Sequence, residues 1–271
     1  MKTILLSLIL AASLAAAPVV DGLPINSAST GKGPKTVILV HGWTCDETTW
    51  SDQVPVLSEK YRVLTLDLPG HGKSPAPADG KLSMDLFARA VEAVRAEAKA
   101  SRVVLVGHSM GTPVILEYAR LYPQHVAALV FVDGLVTMNV GGGGRAPDPN
   151  QMSGPDGRKN REAMIRGMFS PSTTPANQTK ILNMMLAPPE STAVGAMNAT
   201  LDPSNWKGDT FTLPVLGIYA EKSALNNPAY MQDHFPKFEY HEVTGAGHFV
   251  MLDKPAEFNA LLLAFLKKQT F

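Results

Sequence analysis

The sequence predicts one large α/β domain: a mostly parallel, doubly wound sheet flanked by helices and interrupted by a helical insertion. Three observations carry that prediction. The apolar runs Thr36–Val40, Val103–Val106 and Ala127–Val132 lack the alternation of a half-wetted strand, as strands buried on both faces do. They alternate with helical patterns such as Leu82 to Ala98, which is apolar at Leu86, Ala90, Val94 and Ala98. Such alternation requires parallel strands joined by right-handed crossovers. The pattern breaks once, between Gly134 and Thr212, where glycine, proline and short helical stretches replace it.

The chain opens on what reads as an export signal. Met1-Lys2 supplies a positive start, Thr3 to Leu14 an apolar stretch, and Ala15-Ala16-Ala17 the small residues of a cleavage site. Residues 1–17 are expected to be removed near Ala17, with the rest delivered to the periplasm or the medium. The stretch is too short and Ala-rich to anchor the protein stably in a membrane. What remains suits a single domain with a substantial core. Lys and Arg number 24, as do Asp and Glu, which argues against nucleic acid or an acidic membrane surface as a partner. The only cysteine, Cys45, excludes an internal disulfide and any Cys-based metal site.

The first part of the core runs over 18–133. Asp21 to Lys35 is a polar lead-in with room for short edge strands. The strand Thr36–Val40 ends in His41-Gly42-Trp43, and a helix is expected over Asp46–Leu57. Tyr61–Leu66 is the next strand, closed by the turn-forming stretch from Asp67 to Ser74. After Leu82–Ala98 come the strand into Ser109, a helix through Leu121, and the strand Ala127–Val132 ending at Asp133. The insertion, 134–212, holds the glycines Gly141 to Gly144 and helical stretches near Arg161–Phe169, Gln178–Leu186 and Thr192–Leu201. It reads as a cap over the carboxyl ends of the strands. Its six methionines between Met152 and Met197 suit an adaptable apolar lining, although for most of them plain packing is the better reading. The second part of the core, 213–271, contributes the strands Leu213–Tyr219 and Phe238–Val243, and helices at Pro228–His234 and Pro255–Lys268.

One stretch organises the rest. Gly107-His108-Ser109-Met110-Gly111 joins a buried strand to a helix, and its glycines leave room for a sharp turn that lifts the Ser109 hydroxyl clear of the sheet. Together with His41-Gly42-Trp43, Asp67 to Ser74, Asp133 and Gly245-Ala246-Gly247-His248-Phe249, in that order, it makes the chain resemble a cap-bearing serine esterase of the α/β-hydrolase family over Lys35 to Lys268. The resemblance implies a sheet of the eight-stranded type. It implies Ser109 as nucleophile, with His248 as the base that activates an otherwise poor nucleophile and returns the proton to the leaving group. It also implies an oxyanion hole from the N–H groups of Met110 and Trp43. The Trp43 ring and Met138 are candidates to line the acyl pocket, with plain packing an equal reading for the tryptophan.

The third catalytic member departs from the family pattern. Relatives usually carry an aspartate after the strand matching Val215–Tyr219, but here the stretch is Ala220-Glu221-Lys222-Ser223-Ala224. Serine cannot stabilise an imidazolium. Asp133, one strand earlier, is the first candidate for the acid, Glu221 the alternative, and a Ser–His dyad the remaining one. The expected chemistry is cleavage of small or medium apolar carboxylic esters through an acyl-enzyme. The same residues would serve a lactone, an amide, a C–C bond or peracid formation, and a ligand-binding protein on the hydrolase fold is the reading from another class. No metal-ligand spacing or nucleotide fingerprint is present, so neither metal nor cofactor is expected.

Overall fold

The computed structural model describes residues 17–138 and 147–271. The expected export signal lies outside them except for Ala17, as does the glycine run Gly141 to Gly144. The lead-in forms β1 (Val19–Val20), β2 (Leu23–Pro24) and β3 (Ser27–Thr30). β1 and β2 pair with each other across Asp21 and Gly22, both at positive φ, and stand apart from the main sheet. The main sheet therefore has seven strands among the described residues, not eight. Pro18 and Pro24 bracket the small hairpin, and a residue without an N–H cannot extend a central ladder.

β4 (Thr36–Val40) is buried throughout. Asp46 then caps a 3-10 turn, Glu47–Trp50, by accepting from the Thr48 N–H, and α1 follows as Val54–Ser58. The single helix expected over Asp46–Leu57 is thus broken. Pro55 has no N–H to donate and is tolerated only in a first turn, so a new helix starts just before it. β5 (Arg62–Leu66), α2 (Met84–Glu97), β6 (Val103–His108), α3 (Gly111–Leu121) and β7 (Val126–Val132) fall where the periodicities place them.

The insertion contains α4 (Gly157–Arg166), α5 (Pro175–Met185) and α6 (Glu190–Leu201). Each starts earlier than its apolar pattern suggests. For α5 the reason is a cap: Thr174 accepts from the Asn177 N–H, and Pro175 fits a first turn. The core resumes with β8 (Val215–Ala220), α7 (Pro228–His234), β9 (Phe238–Val243), α8 (Val250–Asp253) and α9 (Pro255–Lys268). Among the described residues no helix is long and apolar enough to cross a membrane.

Strand order is β3-β5-β4-β6-β7-β8-β9, parallel everywhere except where β3 joins β5. The order reverses at β4, whose two neighbours β5 and β6 follow it in the chain. Right-handed crossovers then put α1 and α2 on opposite faces. The crevice beyond the carboxyl ends of β4 and β6 is where sheets of this kind take ligands. Ser109 and the His41–Trp43 turn leave the sheet at that point.

Candidate active site

Ser109 follows β6 directly and adopts φ of 53°, a left-handed conformation that costs a side-chain-bearing residue energy and is kept only when the surroundings enforce it. They do. Its N–H donates to the Val132 carbonyl at 3.0 Å, and its carbonyl accepts from the Thr112 N–H at 3.0 Å. A Cβ on Gly107 would lie 2.4 Å from the Gly111 carbonyl oxygen, and one on Gly111 would lie 2.4 Å from the Val40 carbonyl oxygen. The glycines are there because backbone meets backbone. Gly111→Ala is accordingly expected to lower the melting temperature by about 5–10 °C, as overpacking against rigid main chain does; an unchanged thermal transition would show that the turn can open.

Asp133 ends β7 at φ of 41° and is 3% exposed. Its N–H donates to the Ile218 carbonyl at 2.9 Å, and its Oδ1 accepts from the Ala220 N–H at 3.0 Å. This leaves Oδ2 to accept from His248 Nδ1 at 2.6 Å. The structure therefore brings Asp133 to the imidazole. Glu221 is exposed at the rim of the same cavity, with no hydrogen bond from its carboxylate to His248. Ser223, in the position where relatives carry the acid, accepts from the Leu225 N–H and serves a turn. Burial, followed by the charge of Asp133, pushes the Tyr219 hydroxyl well above its ordinary pKa. Tyr219 stays a neutral donor to the Gly134 carbonyl.

The loop carrying His248 is held from three sides. The His248 N–H donates to the Met168 carbonyl at 3.0 Å, and its carbonyl accepts from His108 Nε2 at 3.0 Å. Burial, then proximity to His248, lowers the His108 pKa well below the ordinary imidazole value, so it is a neutral donor. The Gly247 N–H donates to Asp253 Oδ2 at 2.7 Å, and the same oxygen accepts from Ser170 and Thr173. The loop is thereby tied to the segment after α4. No local pattern marks Asp253, a carboxylate at the end of a four-residue helix.

Trp43 and Met110 border the cavity beside Ser109 and His248. Among the described residues no backbone carbonyl accepts from the N–H of either. Met110 stands at the start of α3, where unpaired N–H groups and the helix dipole favour negative charge. Gly42 lets the His41–Trp43 turn approach Ser109, since a Cβ there would sit 2.9 Å from the Ser109 Cβ. The Trp43 ring is anchored by donation from Nε1 to the Ala193 carbonyl in α6 at 2.7 Å. The cavity measures about 610 Å³, within the range of small-molecule sites. Met164, Met168 and Met197 line it, and Met152, Met184 and Met185 are buried elsewhere. Met138 is not among the lining residues. Leu135 takes that place, and the chain is buried at Val136 and Thr137 before it reaches Met138.

Behind the site, His41 accepts the Leu68 N–H at Nε2, and His71 packs with its ring 5.2 Å from that of His41. Burial pushes His41 down to about 4, and burial with repulsion from His41 pushes His71 down to about 3. Both stay neutral in the folded state while the unfolded chain takes up protons below about 6.5. Stability is therefore full above that pH and falls as the pH drops, by up to about 1.4 kcal/mol per pH unit for each histidine. Urea midpoints are expected to decline between pH 7 and 5, above the ordinary carboxylate range; a flat profile would contradict neutral burial. Cys45 is also buried, its thiol pushed up to about 12, and is thus an inert packing group. Among the described residues no group of three His, Cys, Asp or Glu could hold a metal ion.

A serine on a strained strand-to-helix turn and an imidazole bonded to a buried carboxylate share one apolar cavity at the carboxyl edge of a parallel sheet. This combination defines the hydrolases built on a nucleophile elbow. The chain belongs to the alpha/beta hydrolase family, whose model matches residues 37–261. It is 31% identical over 248 residues to the dihydrolipoyllysine-residue acetyltransferase component of an acetoin cleaving system from Pseudomonas putida, covering 88% of this chain and 65% of that protein. It is 44% identical over 107 residues to a pimeloyl-[acyl-carrier protein] methyl ester esterase from Methylococcus capsulatus, covering 39% of each. The matches thus span less than two thirds of the length of these curated relatives. Among solved structures, Est816, described as an N-acyl homoserine lactone degrading enzyme, superposes with a TM-score of 0.77 at 25% identity, covering 91% of this chain and 98% of that one.

Proposed function

We propose that the protein is an exported serine hydrolase that cleaves carboxylic esters of small or medium apolar substrates through an acyl-enzyme. The observation that carries this reading is the 2.6 Å bond from His248 to buried Asp133 in the cavity that also holds Ser109. In the proposed cycle His248 Nε2 takes the Ser109 proton as Oγ attacks the ester carbonyl. The N–H groups of Trp43 and Met110 stabilise the oxyanion, and His248 protonates the departing alcohol. Water, activated by the same imidazole, then releases the acid. Asp133 holds Nδ1 protonated and stabilises the imidazolium.

The insertion acts in this reading as the cap that shapes the acyl pocket, with Met164, Met168 and Met197 supplying an adaptable wall. The likeness to Est816 favours a cyclic ester as the second substrate class. Hydrolysis of p-nitrophenyl butyrate, together with covalent labelling of Ser109 by a fluorophosphonate, is the test. Both are expected; a protein that turns over no ester and resists the probe would be a binding protein on this fold. Export rests on residues 1–17, and recovery of the chain from the periplasm with an N-terminus near Pro18 would support it.

A further inference from the structure

The loop that carries His248 and the connection between α4 and α5 meet at one carboxylate oxygen. Asp253 Oδ2 accepts from the Gly247 N–H at 2.7 Å, from Thr173 Oγ1 at 3.0 Å and from Ser170 Oγ at 3.2 Å. Both sides of that junction bear on the candidate site. Gly247 directly precedes His248, and Met168, Phe169, Ser170 and Pro171 form a wall of the cavity that holds Ser109. Asp253 itself does not line the cavity.

Further contacts tie the same parts together. The His248 N–H donates to the Met168 carbonyl at 3.0 Å, and Asn177, at the start of α5, donates to the Leu252 carbonyl at 2.9 Å. The approach is so close that a Cβ on Gly247 would lie 2.6 Å from the Met168 carbonyl oxygen and 2.9 Å from the Ser170 nitrogen. Oδ1 of Asp253, by contrast, is buried without a hydrogen-bond partner among the described residues. A buried acceptor left unmet costs stability, so packing alone gives no reason for a carboxylate here. The other oxygen supplies one, because it collects three donors from two separate segments.

Resting on the serine hydrolase reading above, we infer that Asp253 is a positioning residue that latches the cavity wall at 168–173 to the His248 loop. The wall and the base then keep one register. Asp133 fixes His248 at Nδ1, but where the ring stands against Ser109 also depends on its own backbone, and that backbone is bonded to Met168. The consequence falls on rate more than on binding. A misplacement of about 1 Å caused by a change remote from the chemistry costs up to about 10²-fold.

The test uses the full chain, with one readout that needs no turnover. In the Asp253→Ala protein, hydrogen exchange at the Gly247 and His248 amides is expected to quicken by about tenfold or more, because opening the junction then costs less. On p-nitrophenyl butyrate, kcat should fall about 10- to 100-fold while KM changes by less than about threefold. Asp253→Asn should bring kcat back to within about threefold of wild type, since its amide oxygen accepts the same three donors and its NH₂ takes the place of unpartnered Oδ1. A role in packing alone would move the thermal transition without this split between kcat and KM. Thr173→Val cuts the latch from the wall side, serves if the alanine variant fails to fold, and should lower kcat in the same way by a smaller factor. Unchanged exchange in both variants, or quickened exchange with kcat within about twofold of wild type, would overturn the inference. A wild-type protein that neither hydrolyses the ester nor takes up a fluorophosphonate, while Asp253→Ala still quickens exchange, would strike the hydrolase reading and uphold the latch.

Discussion

Replacing Ser109 by alanine is expected to reduce turnover of p-nitrophenyl butyrate by roughly 10⁶-fold, the scale seen when a serine nucleophile is removed elsewhere. The size follows from what the hydroxyl does. In the proposed cycle no acyl-enzyme forms without it, and the cavity, the proposed oxyanion donors and His248 can only assist direct attack by water. Those parts alone retain about 10³–10⁴ over the uncatalysed rate. The substitution is also clean. The φ of 53° at Ser109 is enforced by neighbouring backbone, alanine keeps the same Cβ, and among the described residues the hydroxyl makes no hydrogen bond that the fold would lose. The thermal transition is therefore expected to move by no more than a few degrees. Activity that persists within tenfold of wild type would mean that another group attacks the carbonyl.

How much of this site could be read from the residues depended on how locally each part is specified. The turn at Ser109 was legible because its requirement is local: a buried strand, a helix and two glycines whose hydrogens point at carbonyl oxygens. The break in the helix after Asp46 was missed, although Pro55, which fits only a first turn, marks where the new helix starts. The choice of carboxylate was legible only as an order of candidates, Asp133 before Glu221, set by the serine at 223. Asp133 reaches His248 only because β7 ends in a left-handed residue whose Oδ1 is fixed by the β8 backbone, and no pattern in one strand encodes its neighbour's register. Met138 failed for a related reason, because the entry to the insertion has no periodicity from which to derive a direction. The strand count came from the family resemblance, whereas the two-residue ladders of the lead-in follow from Pro18, Pro24 and the Asp21–Gly22 turn. The burial of Arg161 on the inner face of α4 was hidden because a charged residue in a helix reads as a solvated face until burial is known.

The same local detail makes Asp133→Asn the more informative substitution, with an expected loss in kcat of about 10⁴-fold by the tautomer argument. Ala220 fixes which way the amide must point. Its N–H needs an acceptor, so the amide oxygen takes the place of Oδ1 and the NH₂ turns toward His248 Nδ1. A donor facing Nδ1 forces the ring proton onto Nε2, and the imidazole can then no longer accept the Ser109 proton. The opposite orientation would set NH₂ against N–H in a buried site, which costs a full unsatisfied donor. Glu221→Gln, by contrast, is expected to change kcat by less than about twofold, because an exposed rim carboxylate interacts weakly across water. Steady-state kinetics on both variants, with circular dichroism to establish that each is folded, separates the cases. A near-silent Asp133→Asn beside a severe Glu221→Gln would transfer the acid to the β8 loop and require that loop to close over His248 during turnover. Equal, mild effects would leave Ser109 and His248 acting as a pair, with the strained backbone of Asp133 kept only to join β7 to β8.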